Sequence, residues 1–253
     1  MFNPLDYPFL ILGLSLLIFW GSASIGGWFR KRARQLRDDA HEDFAFVLGA
    51  TLTLLGLIIG FTFSMAVSRY DQRKNYEEQE ANAIGTEYVR ADFLPAADAA
   101  RVRELLKSYL DQRIVDYKLR DTHRLQQTDA EIVRLQNEMW SAVVGPATAQ
   151  PTQIAALVVS GMNDVLNSEG YTQAAWWNRI PAPAWALLVI ISIFCNLLIG
   201  YGAHGRNAFL FLILPIALAI SLFLIADIDS PRGGAIRVRP QNLESLAESL
   251  RSQ

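Results

Sequence analysis

Charge-free and charged blocks alternate along this chain. Four runs, residues 8–29, 44–68, 182–203 and 207–226, contain no Asp, Glu, Lys, Arg or His. Each holds about 20 residues or more, enough to cross a hydrocarbon core of about 30 Å at about 1.5 Å per helical residue. Four such runs suit lipid better than the core of a soluble protein. They come in two pairs, and the stretch between the pairs, residues 69–178, has the composition of a soluble helical domain. The pattern predicts an all-α integral membrane protein: four transmembrane helices, with a helical soluble insert between the second and third spans. The expected segments are 1–68 (first hairpin), 69–180 (insert), 181–227 (second hairpin) and 228–253 (amphipathic tail).

The second span does not stop where the membrane should. "LLGLIIGFTFSMAVSRYDQRKNYEEQEAN", residues 54–82, passes from apolar to charged without a proline, and its last glycine is Gly60. Arg73/Glu77 and Lys74/Glu78 set opposite charges four apart on an exposed helical face. Pro95 should end the helix, which from 44 to 94 would measure about 75 Å. In the insert, Asp98 reads as the N-cap of a helix reaching about Arg120, with Val102, Leu106, Tyr109 and Tyr117 at helical spacing and Leu105, Leu110 and Ile114 beside them. Thr128 and Glu131 form a capping-box pattern ahead of Ile132, Leu135 and Trp140, and Pro146 should close that helix. Pro151 suits the first turn of another running to about Ser168, with Gly170 as its stop. Trp176, Trp177 and Trp185 are expected in the headgroup belt.

Composition removes several classes of function. A net charge of -2 is too balanced for a nucleic-acid partner. The single cysteine, Cys195, cannot form an intrachain disulfide. "MFNPLDYP" lacks the basic n-region of a cleaved signal peptide. His41, His123 and His204 lie far apart without ligand spacing, and no P-loop or dinucleotide fingerprint occurs, so no metal, cofactor or enzymatic activity is expected. Asp38/Asp39 and Glu77/Glu78 are adjacent pairs that point to different sides of a helix. The spans lack the buried ionisable residue of ion-coupled carriers. Asp227 sits only at the end of the fourth span, Asn196 should hydrogen-bond between helices, and Pro215 should kink the fourth span.

Charge leaves the orientation open. "RKRARQLRDDAHED" holds five basic residues, joined by Arg206 on the same side; Arg69, Arg73, Lys74, Arg179, Arg232, Arg237 and Arg239 face them from the other.

Two faces of the second span carry candidate function. Gly49, Thr53, Gly56 and Gly60 form a small-residue stripe that admits close approach by another helix. Beside it, Thr53, Leu57 and Phe61 step by four, followed by Ser64 or Met65 and then Ser68. Around an oligomer axis these would stack as rings, with Leu57 and Phe61 as an apolar constriction that gates by dewetting and hydroxyls beyond it. Arg69 would stand at the pore mouth and concentrate anions. The same residues also fit a lipid-facing or packing surface, with Arg69 snorkelling.

"GFTFSMAVSRYDQRKNYEE", residues 60–78, resembles the stretch that leaves the second membrane helix of bestrophins. There a Gly-Phe is followed by a basic-aromatic pair, here Gly60-Phe61 and Arg69-Tyr70, with Ser68 preceding. "IADIDSPRGGAIRVRPQNLESLAESL" after the fourth span is similar to that family's acidic-Pro-x-Gly segment and the amphipathic stretch beyond it. The resemblance implies a homo-oligomer, typically pentameric, that conducts monovalent anions across the lipid bilayer, with insert and termini cytosolic, as in a bacterial inner membrane. It also implies a neck on the second span. Phe61 matches the last neck position, Leu57 keeps the apolar character of the middle one, and Thr53 departs from the apolar residue of the first. The calcium clasp of animal members needs an acidic run; here only Asp227 and Asp229 precede Pro231. The contrasting expectation is a non-conducting scaffold or sensor assembled through the long helix.

Overall fold

The computed structural model describes residues 4–32, 38–202 and 208–252. Arg34, Arg37, His204 and Arg206 of the predicted loops, and the side chains of Asp38, Asp39 and His41, lie outside what is described. The helices are α1 (Pro8–Arg32), α2 (Asp38–Arg90), α3 (Ala96–Lys118), α4 (Thr122–Ala149), α5 (Gln153–Trp177), α6 (Ala182–Gly202), α7 (Ala208–Asp229) and α8 (Gln241–Arg251). No strand occurs among the described residues. Among the described residues, four helices are long and apolar enough to cross a membrane.

The chain forms two compact units, Met1–Arg69 with Arg179–Arg237 and Tyr70–Asn178 with Val238–Gln253. In the first, α1 packs against both α6 and α7. Glycine sets the α1–α6 spacing. A Cβ on Gly26 would lie 2.1 Å from the Leu197 carbonyl oxygen, and one on Gly200 would lie 2.0 Å from the Ala23 carbonyl oxygen. Each backbone therefore rests in the gap left by the other helix's missing side chain. Gly26→Ala or Gly200→Ala is expected to cost about 1–3 kcal/mol by overpacking. The double variant should cost less than the sum, because one methyl already forces the helices apart; thermal unfolding in detergent measures this.

Some polar side chains in this unit bond within their own helices, whereas Trp185 Nε1, Ser192 Oγ and Asn196 Oδ1 are buried without a hydrogen-bond partner. Ser22 donates to the Ile18 carbonyl at 2.7 Å. Asn196, expected to bond between helices, instead donates to Ser192 O at 2.7 Å, one turn back on α6. Pro215 lies inside α7, which continues through it to Asp229. Trp185 is buried in this unit.

In the second unit, the remainder of α2 joins α3, α4, α5 and α8 around one apolar core that includes Ile84, Leu106, Met139, Met162 and Leu243. Several local signals read differently here. Pro95, not Asp98, occupies the α3 N-cap, and Asp98 falls in the first turn. The α4 N-cap is Asp121, whose carboxylate accepts the N–H groups of His123 and Arg124 at 2.8 and 3.0 Å. Thr128 and Glu131 therefore lie inside α4, as does Pro146. Thr152 caps α5, which runs through Gly170 to Trp177. Trp176 is partly buried against this core and meets Tyr117 edge-on at 5.1 Å, so it is a packing residue rather than part of a headgroup belt; Trp177 is exposed.

A buried charge cluster crosses this core. Arg113 donates to both oxygens of Glu80 and, at 3.2 Å, to Asp116. Tyr117 and Thr172 each donate to Glu80 Oε2 at 3.3 Å. Burial alone would lower the Arg113 pKa, but Glu80, helped by Asp116, more than offsets it and holds the guanidinium charged. Glu77, like Arg73, is buried rather than on an exposed face. Its carboxylate accepts the N–H groups of Asn242 and Leu243 at 2.9 and 3.1 Å and the Asn242 amide at 2.6 Å. It thereby caps the N-terminus of α8, whose own cap position is Pro240, without a capping side chain.

Candidate functional site: the uncovered face of the second span

Within the membrane part of α2, burial marks one stripe: Leu55, Thr62 and Ala66, none more than 3% exposed. At about 100° per residue these three fall within about 40° of one another. The Thr62 hydroxyl donates to Ile58 O at 2.7 Å, so this stripe carries no unmet polar group into the packing. Thr53, Leu57, Ser64 and Ser68 fall about 140–180° from it, on the opposite side of the helix, and Phe61 about 120° from it; all five are exposed. Leu57 is 54% and Phe61 70% exposed. The structure thus brings the five expected ring residues together on the side away from the subunit's own packing.

Thr53 donates its hydroxyl to Gly49 O at 2.9 Å. Its polar atom is engaged one turn back, which weakens the chemical contrast with an apolar residue at that position. Gly49, Gly56 and Gly60 flank this face at about 100–140° from the packed stripe. A Cβ built on any of them would meet nothing within 4 Å. The close helix approach their spacing permits is not made by this subunit's own described residues. Within the subunit, that role belongs to Gly26 and Gly200.

Arg69 stands apart from the other site residues. It lies about 40° from the packed stripe, and its Nη1 is 3.7 Å from Asp229 Oδ1. Asp229 in turn accepts the Ile180 N–H at 3.1 and 3.2 Å. One carboxylate therefore joins the exit of the second span to the entry of the third. Asp227 anchors the loop beyond the fourth span, accepting the N–H groups of Ala235 and Ile236 at 2.8 and 2.7 Å. Gly234 has φ +68°, and a Cβ there would lie 2.0 Å from Asp227 Oδ1, so both the backbone conformation and the space require glycine. Asp227 and Asp229 are the two acidic residues that precede Pro231. Both are loop anchors, and the nearby Gly233-Gly234 pair was the available signal.

Four apolar helices in two hairpins, with a helical insert between them, define a four-span all-α integral membrane protein. A family model for the bestrophin-like domain matches residues 16–243. The chain belongs to the bestrophin-like family. Solved structures agree with that fold. A crystal structure of a bacterial bestrophin homologue from Klebsiella pneumoniae superimposes with TM-score 0.65 at 14% identity, covering 97% of this chain and 98% of the other. A second structure of the Klebsiella homologue gives 0.63 at 15% identity, with 96% and 95% covered. A structure described as a membrane protein gives 0.66 at 14% identity, with 97% of both chains covered. Among curated proteins, none matches the chain in sequence.

Proposed function

We propose that this chain is the subunit of a homo-oligomeric ion channel, pentameric by family resemblance, that passes monovalent anions along an axis lined by Thr53, Leu57, Phe61, Ser64 and Ser68. The observation that supports this reading most is the uncovered second span: its ring residues lie away from its packed stripe, free to face an axis. Leu57 and Phe61 form the apolar neck in this arrangement. Ser64 and Ser68 supply hydroxyl donors that solvate an anion without the penalty of a counter-charge. Arg69 adds positive potential near the mouth, reduced by the Asp229 carboxylate beside it. The subunit sits in a bacterial inner membrane with its insert and termini cytosolic.

A second reading, a non-conducting scaffold or sensor, draws on the open glycine stripe of Gly49, Gly56 and Gly60, which suits tight helix association as well as it suits a ring. Chloride efflux from liposomes containing the purified protein, with oligomeric mass measured on the same preparation, separates the two. Efflux from a ring-sized oligomer is expected. A well-folded protein that passes no anion, or one that is only dimeric, would move the assignment to the scaffold.

A further inference from the structure

Three buried glutamates lie on the part of α2 that belongs to the second unit, and their surroundings differ. Glu80 is met by Arg113, Tyr117 and Thr172. Glu77 is met by the N-terminus of α8. Glu87 is fully enclosed, and neither of its carboxylate oxygens has a hydrogen-bond partner.

Gly161 of α5 lies directly against it. A Cβ on Gly161 would stand 2.0 Å from Glu87 Oε2 and 2.5 Å from Arg90 Nη1. The α5 backbone therefore rests on the carboxyl group itself, with Val158, Met162 and Val165 buried around the contact. The charged groups acting on Glu87 are Arg90, three residues on along α2, which favours its ionised form, and Asp164 of α5, which opposes it. Asp92, on the short turn after α2, is engaged with Arg103. A carboxylate buried without donors is costly, whereas a neutral acid is tolerated far better.

We propose that Glu87 is a proton-operated latch between α2 and α5: protonated, it lets α5 seat with Gly161 against it; ionised, it recruits water or Arg90 into the seam and loosens α5 over residues 158–165. This holds whether or not the second span lines a pore, because the latch lies wholly within the second unit.

Burial pushes the Glu87 carboxyl up to about 8, with Arg90 opposing the rise and Asp164 adding to it. The folded value lies above the ordinary glutamate value of 4.5. The folded chain therefore binds a proton that the unfolded chain has released, and the stability this confers declines as pH rises from that ordinary value through about 8.

Hydrogen–deuterium exchange on the full-length protein in detergent, followed from about pH 6 to about pH 9.5 and corrected for the intrinsic pH dependence of exchange, reads the latch. Protection of residues 158–165 should fall about tenfold or more as pH rises through the transition, while α4 peptides stay constant. Glu87→Gln, a permanently neutral near-isostere, should abolish the transition. Arg90→Gln should raise its midpoint and Asp164→Asn should lower it, shifts that a purely structural role would not produce. Infrared difference spectra between the two pH limits should show a protonated carboxyl band lost on alkalinisation in the wild type and missing in Glu87→Gln. A wild type with no transition, or a Glu87→Gln protein that keeps it, overturns the proposal.

Discussion

Phe61→Ala is expected to raise chloride efflux from liposomes several-fold over wild type without lowering the unfolding temperature. The ring sits on the uncovered side of α2, 70% exposed within the subunit, so its loss leaves no cavity in the subunit's own packing. In a ring of subunits the same truncation removes the bulk of an apolar constriction, widens it and makes it easier to wet. Thr62 and Ala66 supply the control, because they lie on the packed stripe. Enlarging Ala66 to leucine should destabilise the subunit by about 1–3 kcal/mol without opening a neck. Efflux unchanged by Phe61→Ala in an otherwise active channel would place the constriction elsewhere.

The largest effect on stability is expected at Arg113. Arg113→Ala strips the guanidinium from Glu80 and Asp116, which are at most 2% exposed and cannot turn to water. Removing one partner of a buried ion pair typically costs about 3–5 kcal/mol, mostly from the charge left behind. For a chain of this size that is roughly a 6–20 °C fall in unfolding temperature. The pair Glu80→Gln with Arg113→Gln should recover part of the loss, since Glu80 is then no longer stranded as a charge, although Asp116 still lacks the guanidinium. Equal losses for the single and double variants would show that packing, not charge, accounts for the cost.

Much of this architecture was legible in the chain because lipid imposes a simple rule. The charge-free runs at 8–29 and 182–203 appear as α1 and α6, and the missing breaker after Gly60 appears as the unbroken α2. Signals inside the insert were less dependable. Thr128 and Glu131 have capping-box spacing, yet Asp121 starts α4 earlier by holding two N–H groups itself. Gly170 does not stop α5, because Thr172 and Ala175 beyond it are buried and Thr172 reaches Glu80. Spacing along the second span grouped the ring residues but did not reveal which side packs; the span is apolar all round, and only burial distinguishes Leu55, Thr62 and Ala66 from Leu57 and Phe61. The environments of Glu87, Glu77 and Asp227 depend on segments that the local pattern does not bring together. Gly161 lies 74 residues beyond Glu87 in the chain, and Asn242 lies 165 beyond Glu77.

The first unit is discontinuous in sequence, and this dictates an order of biogenesis. Helices α6 and α7 both pack against α1, but the ribosome must first make the whole of Tyr70–Asn178. At about 5–20 residues per second, that interval lasts roughly 5–20 s. Until α6 is made, the surface at Gly26 lacks the Leu197 backbone that lies against it in the folded chain. Local hydrogen bonds make this wait tolerable: the Ser15 and Ser22 hydroxyls donate to their own helix's Ile11 and Ile18 carbonyls, so α1 shows lipid no unmet hydroxyl donor at these positions. On α6 the Asn196 Nδ2 group bonds locally to Ser192 O. Assembly in the membrane then consists of docking Gly200 against Ala23 and Gly26 against Leu197, a fit that closes only after translation has passed the insert.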